Sequence, residues 1–150
     1  MQLAQFNIAR LLHDRGDPRV AGFEDNSARI SALAKRFDGF VWSLPEDEMR
    51  DACADPEGPF GDDPRMTATL SVWSSEEALR LFAHHTIHKR FYARRAEWFE
   101  VLDGPHLVMW EIEDGAYPDL PDAVARLDHL GRHGGSDHAY AWGRYARGAA

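Results

Sequence analysis

The sequence predicts an α+β fold: a ferredoxin-like β-α-β-β-α-β antiparallel sheet with both helices on one face. Three observations carry that expectation. Four short segments, residues 3–9, 40–44, 66–73 and 106–112, alternate apolar and polar residues or form short apolar runs, as strands do. Two segments between them space their apolar residues as helices do. The resulting order, strand, helix, strand, strand, helix, strand, belongs to one well-defined arrangement. With 150 residues, 44% hydrophobic and 28% charged, the chain is long enough for one domain, residues 1–150, with a core of its own. That composition excludes a disordered, collagen-like or disulfide-stapled chain.

In the first strand, Ala4, Phe6 and Ile8 share one side, and Gln5 and Asn7 the other. Asp17 followed by Pro18 is a helix start, continued by Val20, Phe23, Ile30, Leu33, Ala34 and Phe37 as far as Asp38-Gly39. Phe40 to Leu44 is the second strand, stopped by Pro45. Residues 46–64 are acidic, with Pro56, Gly58, Pro59 and Gly61 in their second half, and are expected as a long surface excursion rather than a pocket lid. In the third strand Met66, Ala68, Leu70 and Val72 oppose Thr67, Thr69, Ser71 and Trp73. Ser74 and Glu77 stand in capping-box spacing, and open a helical pattern that runs through Phe82 and resumes to Phe99, with a bend near Thr86 left open. Asp103-Gly104-Pro105 breaks it before the fourth strand. A short helix over about residues 122–132, a glycine turn and a last strand over 139–145 form a C-terminal appendix.

The second and fourth strands are apolar on both sides, Phe40 and Trp42 against Val41, and Val108 and Trp110 against Leu107 and Met109. Two helices cover only one side of a sheet, so the other requires a second cover. A second copy of the chain, packed sheet to sheet as a homodimer, is the expectation. The C-terminal segment folding over that face is the alternative.

Seventeen Lys and Arg against 25 Asp and Glu give a formal charge of -8, a field that repels phosphate backbones, so nucleic acid is not an expected partner. Cys53 is the one cysteine, so no intrachain disulfide can form. It lies among Asp51, Asp55 and Glu57, where a thiolate is disfavoured and a spectator thiol is expected. The N-terminus lacks the basic start and apolar run of a signal peptide, and no stretch approaches about 18 continuous apolar residues. The expectation is a cytoplasmic protein with no membrane partner.

The segments Leu3 to Ala9, Leu70 to Leu79, His88 with Trp98-Phe99-Glu100, Leu102 to Val108 and Leu127-Asp128-His129-Leu130 resemble the domain-of-unknown-function 3291 family. The resemblance covers almost the whole chain, and the stretch from Trp98 through Gly104-Pro105-His106 is its most specific part. It implies the dimeric α+β barrel superfamily, which includes cofactor-independent monooxygenases of antibiotic pathways, heme-degrading enzymes and small ligand-binding proteins. Membership names no activity by itself, so the site must be argued from its residues.

Read as one continuous helix, the second helical segment places Ala78, Leu81, Phe82, His85, His88, Tyr92, Ala96 and Phe99 on one face. His85 and His88 are therefore expected against the sheet, with His84 to the side. Imidazoles among Leu and Phe need hydrogen-bond partners or a ligand, because an unpaired buried polar group costs about 1–3 kcal/mol. Either strand hydroxyls such as Thr67, Thr69 and Ser71 satisfy them, or they line a pocket. In the pocket reading His88 and His85 are the catalytic candidates, a neutral imidazole acting as general base towards an acidic phenol or enol. Trp73, Phe82, Tyr92 and Trp98 are candidate walls, and Arg94 a candidate for a ligand carboxylate or phosphate, or else a surface ion-pair partner of Glu97 or Glu100. Asn7 joins the set because the resemblance matches it to an asparagine of the heme-degrading enzymes.

The expected activity is that of a cofactor-independent monooxygenase or cyclase acting on an aromatic, polyketide-like small molecule, since a carbanion can hand an electron to dioxygen. A non-catalytic protein that binds heme or a small hydrophobic ligand is the alternative, and a merely packed structural dimer a third. No cofactor is expected, with heme as the possible exception: the helical tryptophan of heme-degrading relatives is replaced by Phe82, and their ligand histidine aligns with Tyr92 unless a gap brings it to His88. No metal site is expected either. His84 and His88 are four apart, as are His129 and His133, but no third helical ligand accompanies the first pair. Nothing in the sequence ties His129, His133 and His138 together.

Overall fold

The sheet is built on β1 (Gln2–Arg10). It pairs antiparallel with β3 (Met66–Trp73) along its whole length, from Leu3 opposite Trp73 to Arg10 opposite Met66. Its other edge pairs antiparallel with β4 (Leu107–Ile112). β2 (Phe40–Ser43) joins the far edge of β3, with an irregularity between Phe40 and Trp42. The order β2-β3-β1-β4 is the one the ferredoxin-like chain path demands. The fold is that of a computed structural model describing residues 1–143, apart from the side chains of Thr86 and Ile87.

Because side chains alternate along a strand, the sheet has an even face (Ala4, Phe6, Leu70, Val108, Trp110) and an odd face (Leu3, Gln5, Asn7, Ser71, Trp73, Met109). Two helices take one end of the odd face. Asp17 caps a 3-10 turn (Pro18–Val20), its carboxylate accepting from the Arg19 N–H, and the turn runs directly into α1 (Ala21–Arg36). Ile30, Leu33 and Phe37 from this region pack over Leu3, Trp73 and Met109. On the even face lies α2 (Glu46–Ala54), where a loop was expected. Its Glu46, Asp47 and Glu48 sit at the positive end of the helix dipole. Its Met49 and Cys53, four apart, are buried against the sheet. Burial raises the Cys53 pKa, in line with a spectator thiol. Beyond α2, Phe60 stacks on Phe6 with ring centroids 6.5 Å apart.

The helix after β3 differs from expectation in two ways. α3 (Glu76–Ala83) is capped by Ser75, whose hydroxyl accepts from Ala78 N at 3.1 Å. Ser74, the expected cap, instead donates its backbone N–H to the Gly39 carbonyl at 2.7 Å. Nor does the helix continue to Phe99. His85 N bonds Phe82 O at 3.0 Å, a tighter turn that breaks the ladder at His84–His85. The chain restarts as α4 (Thr86–Ala93), turns again at Arg94, and adds α5 (Arg95–Trp98). Leu11, Val20, Phe23 and Trp98, with Phe91 and Phe99, form a separate cluster.

α6 (Leu120–His133) is capped by Asp119, whose carboxylate accepts from Asp122 N at 2.8 Å, and it adds Ala123 and Leu127 to the even face. The second cover of the sheet is thus the chain's own α2 and α6. The homodimer loses the open face from which it was argued, and the alternative of a C-terminal segment over that face describes part of what is found. Of the expected last strand, residues 139–143 are bridged rather than laddered, Tyr140 to Met109, while 144 and 145 lie outside the described residues. No helix among the described residues is long and apolar enough to cross a membrane.

Candidate functional site

A row of polar side chains crosses the odd face. Gln5 and Ser71, face to face on β1 and β3, are buried polar residues of an otherwise apolar core. The Gln5 amide donates to Ser71 Oγ at 2.8 Å and to Thr69 Oγ1 at 3.1 Å. Ser71 Oγ also accepts from the Trp73 indole N–H at 3.0 Å. The Thr69 hydroxyl donates to Asn7 Oδ1 at 2.9 Å. Asn7 Oδ1 is thereby engaged, which leaves its NH2 as the donor group ending the relay. The row runs outward: Ser71 is buried, Asn7 half-buried and Thr69 exposed. A polar sheet surface is therefore open to solvent at one end and walled by aromatics at the other.

His88 belongs to that aromatic wall. Its ring meets Phe82 edge-on with centroids 5.1 Å apart, Phe82 stacks on Trp73 at 5.2 Å, and Trp73 holds Ser71. His88 Nδ1 is buried with no hydrogen-bond partner among the described residues. Burial pushes the His88 pKa below its ordinary 6.5, a backbone hydrogen bond with Ala83 works against this, and His84 and His85 reinforce it. The ring is therefore neutral at neutral pH, and in the tautomer with the lone pair on Nδ1 it is a base. His85 lies half-buried and edge-on to Phe37, centroids 5.7 Å apart. His84 is exposed.

No strand hydroxyl among the described residues partners His88 Nδ1, contrary to one reading of the sequence. Thr69 and Ser71 are held by Gln5, Asn7 and Trp73. Gln5 escaped the sequence reading altogether, although a polar residue in mid-strand opposite a serine was the available signal. The breaks at His84–His85 and Arg94 also divide the expected stripe. Leu81 and Tyr92 are exposed rather than inward, and the Arg95 guanidinium lies 4.1 Å from the Tyr92 ring centroid. Trp98 is buried in the separate cluster with Phe23, not with Trp73 and Phe82. Arg94 covers Trp98 at 4.7 Å and pairs with Glu97 at 3.0 Å, the surface alternative weighed for it.

The void expected beneath the helix takes another form. A cavity of about 440 Å³ lies between the end of α1 and the start of α3, against Phe37, Gly39, Ser74 and Ala78. A smaller one, about 140 Å³, lies by Met1, Ser75 and Tyr140. Neither is lined by a histidine.

Residues 2–149 match the family described as Domain of unknown function (DUF3291), and the chain belongs to it. Three solved structures are similar in fold. One is a protein of unknown function from Nitrosomonas europaea, 17% identical, TM-score 0.50, matching 79% of this chain and 95% of that one. Another is a candidate antibiotic biosynthesis monooxygenase from Nitrosomonas europaea, 10% identical, TM-score 0.52, over 77% and 93% of the two chains. The third is a conserved protein from Methanosarcina mazei Go1, 11% identical, TM-score 0.51, over 75% and 94%. At these identities the likeness concerns the fold. The search of curated proteins found no match.

Proposed function

We propose that this chain is a monooxygenase- or cyclase-like enzyme for an aromatic, polyketide-like small molecule, with His88 as general base. The observation that carries the reading is His88 itself, a neutral imidazole whose buried Nδ1 has no partner among the described residues, set in the aromatic wall beside a hydrogen-bonded polar row. The shared fold of a candidate antibiotic biosynthesis monooxygenase supports the reaction class.

In this reading the substrate enters over Thr69 and Asn7, where the sheet is open, towards the wall in which Phe82 and Trp73 are buried. The Asn7 NH2 group donates to a substrate oxygen, and His88 Nδ1 takes the proton of an acidic phenol or enol. The reading requires α4 to shift at the His84–His85 joint, where the helix ladder is interrupted, so that Nδ1 is uncovered. Proton removal leaves an anion with carbanion character, which can pass an electron to dioxygen, and the protein supplies position and a water-poor wall.

Dioxygen uptake against a panel of acidic polycyclic phenols tests this. The wild type accelerates uptake with at least one of them, and His88→Ala, still folded by circular dichroism, loses about 10²- to 10⁴-fold of that rate, the usual worth of a general base. A panel on which wild type and His88→Ala behave alike contradicts the proposal.

A further inference from the structure

We infer that Gln5 and Thr69 are positioning residues, which hold the Asn7 amide with its NH2 group outward as the donor for the charged oxygen of an ionised phenol or enol. Strand register brings the three together. On β1 and β3, Gln5 stands opposite Ser71 and Asn7 opposite Thr69. Gln5 is 5% exposed, and its amide nitrogen carries two N–H groups. Both are spent on hydroxyls, one on Ser71 Oγ and one on Thr69 Oγ1. The Trp73 indole, which only donates, also gives its N–H to the Ser71 oxygen. Thr69 Oγ1 receives its bond from Gln5 and gives its single proton to Asn7 Oδ1.

The bonds all run in one sense. Gln5 gives to Thr69 and Thr69 gives to Asn7, so the Asn7 carbonyl is occupied, at 2.9 Å, and its other end is left for a ligand. That NH2 group has no acceptor among the described residues. Its neighbour on the other side of the sheet is Leu107 of β4, whose side chain offers none. Asn7 is half-buried, at the end of the row where Thr69 is exposed. Hydrogen bonds in series polarise one another, so an amide whose carbonyl accepts becomes a stronger donor at its N–H. Towards an anion such a bond is roughly twice as strong as towards a neutral oxygen. In the function proposed above, on which this assignment rests, His88 Nδ1 takes the proton. The substrate O–H bond breaks, an N–H bond forms on His88, and the electron pair stays with the substrate. The charge left behind gathers on oxygen, and an Asn7 N–H already held in place meets it without reorganising.

The test uses 2-hydroxyanthraquinone, a phenol on an already oxidised ring system, whose colour reports its own ionisation. Gln5, Thr69 and Asn7 do not titrate, so they move the midpoint of the bound probe without adding one of their own. Absorbance titration of the full-length protein with the probe bound should give a midpoint about one pH unit below that in water, which is about tenfold tighter binding of the anion than of the neutral phenol. Thr69→Val should lose most of that displacement and Thr69→Ser should keep it. Asn7→Asp, which still accepts from Thr69 but offers no N–H, should abolish or reverse it. Thr69 is exposed and Asn7 half-buried, so these variants stay folded, which circular dichroism checks. The Thr69→Val loss should recur in the His88→Ala background, which separates two failures. If His88 is not the base, dioxygen uptake ignores His88→Ala. If the relay does not position Asn7, the probe ignores Thr69→Val. No bound probe, equal midpoints in wild type and Thr69→Val, or a wild-type midpoint in Asn7→Asp would overturn the assignment.

Discussion

The two faces of one sheet do different things with alternate residues of the same strands. On the even face Ala4, Phe6, Val108 and Trp110 are buried among Met49, Cys53, Ala123 and Leu127, while the buried polar residues Gln5 and Ser71 both lie on the other face. On the odd face Gln5, Ser71, Thr69 and Asn7 form a hydrogen-bonded relay beside the apolar cluster of Trp73 and Phe82. Buried hydrogen bonds contribute only about 0.5–1.5 kcal/mol each once desolvation is counted, less than a buried aromatic ring. The even face therefore carries stability, and the odd face can hold groups that need a partner. His88 belongs to the second kind.

Four measurements break or sharpen that contrast. Trp110→Ala, on the even face, should cost about 3–5 kcal/mol by urea denaturation, as large-to-small changes at buried aromatics do. A loss below about 1 kcal/mol would remove the even face from its role. Ser71→Ala strands the Trp73 indole N–H and one bond of Gln5, so the expected loss is about 1–3 kcal/mol, smaller although the site is equally buried. His88→Leu replaces an unpartnered ring nitrogen with hydrocarbon, and should raise stability by about 1 kcal/mol while abolishing turnover. A destabilised His88→Leu would mean that the ring is satisfied where it sits.

The smallest effect is one of pH. The His88 pKa is depressed on folding, so the unfolded chain binds the extra proton and stability falls as pH drops below the ordinary 6.5. Wild type should therefore lose stability relative to His88→Leu between pH 7 and 5. The slope stays under the ceiling of about 1.4 kcal/mol per pH unit, because the ring is only partly withdrawn from solvent. Parallel pH profiles for the two proteins would contradict it.

The strands were legible because period-two alternation survives in any context, and their order determined the path β2-β3-β1-β4. α2 was not, because the prolines and glycines of residues 56–61 drew the whole span 46–64 into a loop. Met49 and Cys53, four apart behind Pro45 and three acids, held the missed signal. The helix breaks at His84–His85 and Arg94 leave no proline or glycine in the sequence, so the apolar stripe read as continuous and placed Tyr92 beside His88, with Trp98 as a separate candidate wall. The contact of Phe82 with Trp73 was legible because an unbroken strand and the first helical turns carry these two residues. Gln5 was missed because hydrogen bonding to a facing strand depends on register, which alternation alone does not supply.

The claim on which the account rests is that an uncharged His88 with an available nitrogen stands in the aromatic wall of the odd face. Titration of the histidine ring nitrogens by two-dimensional ¹⁵N–¹H NMR, with His88 assigned through His88→Leu, measures this directly. The account predicts a His88 midpoint below 6.5 and an Nδ1 shift typical of an unprotonated nitrogen at pH 7. A midpoint at or above 6.5, or an Nδ1 carrying the proton at pH 7, would contradict it.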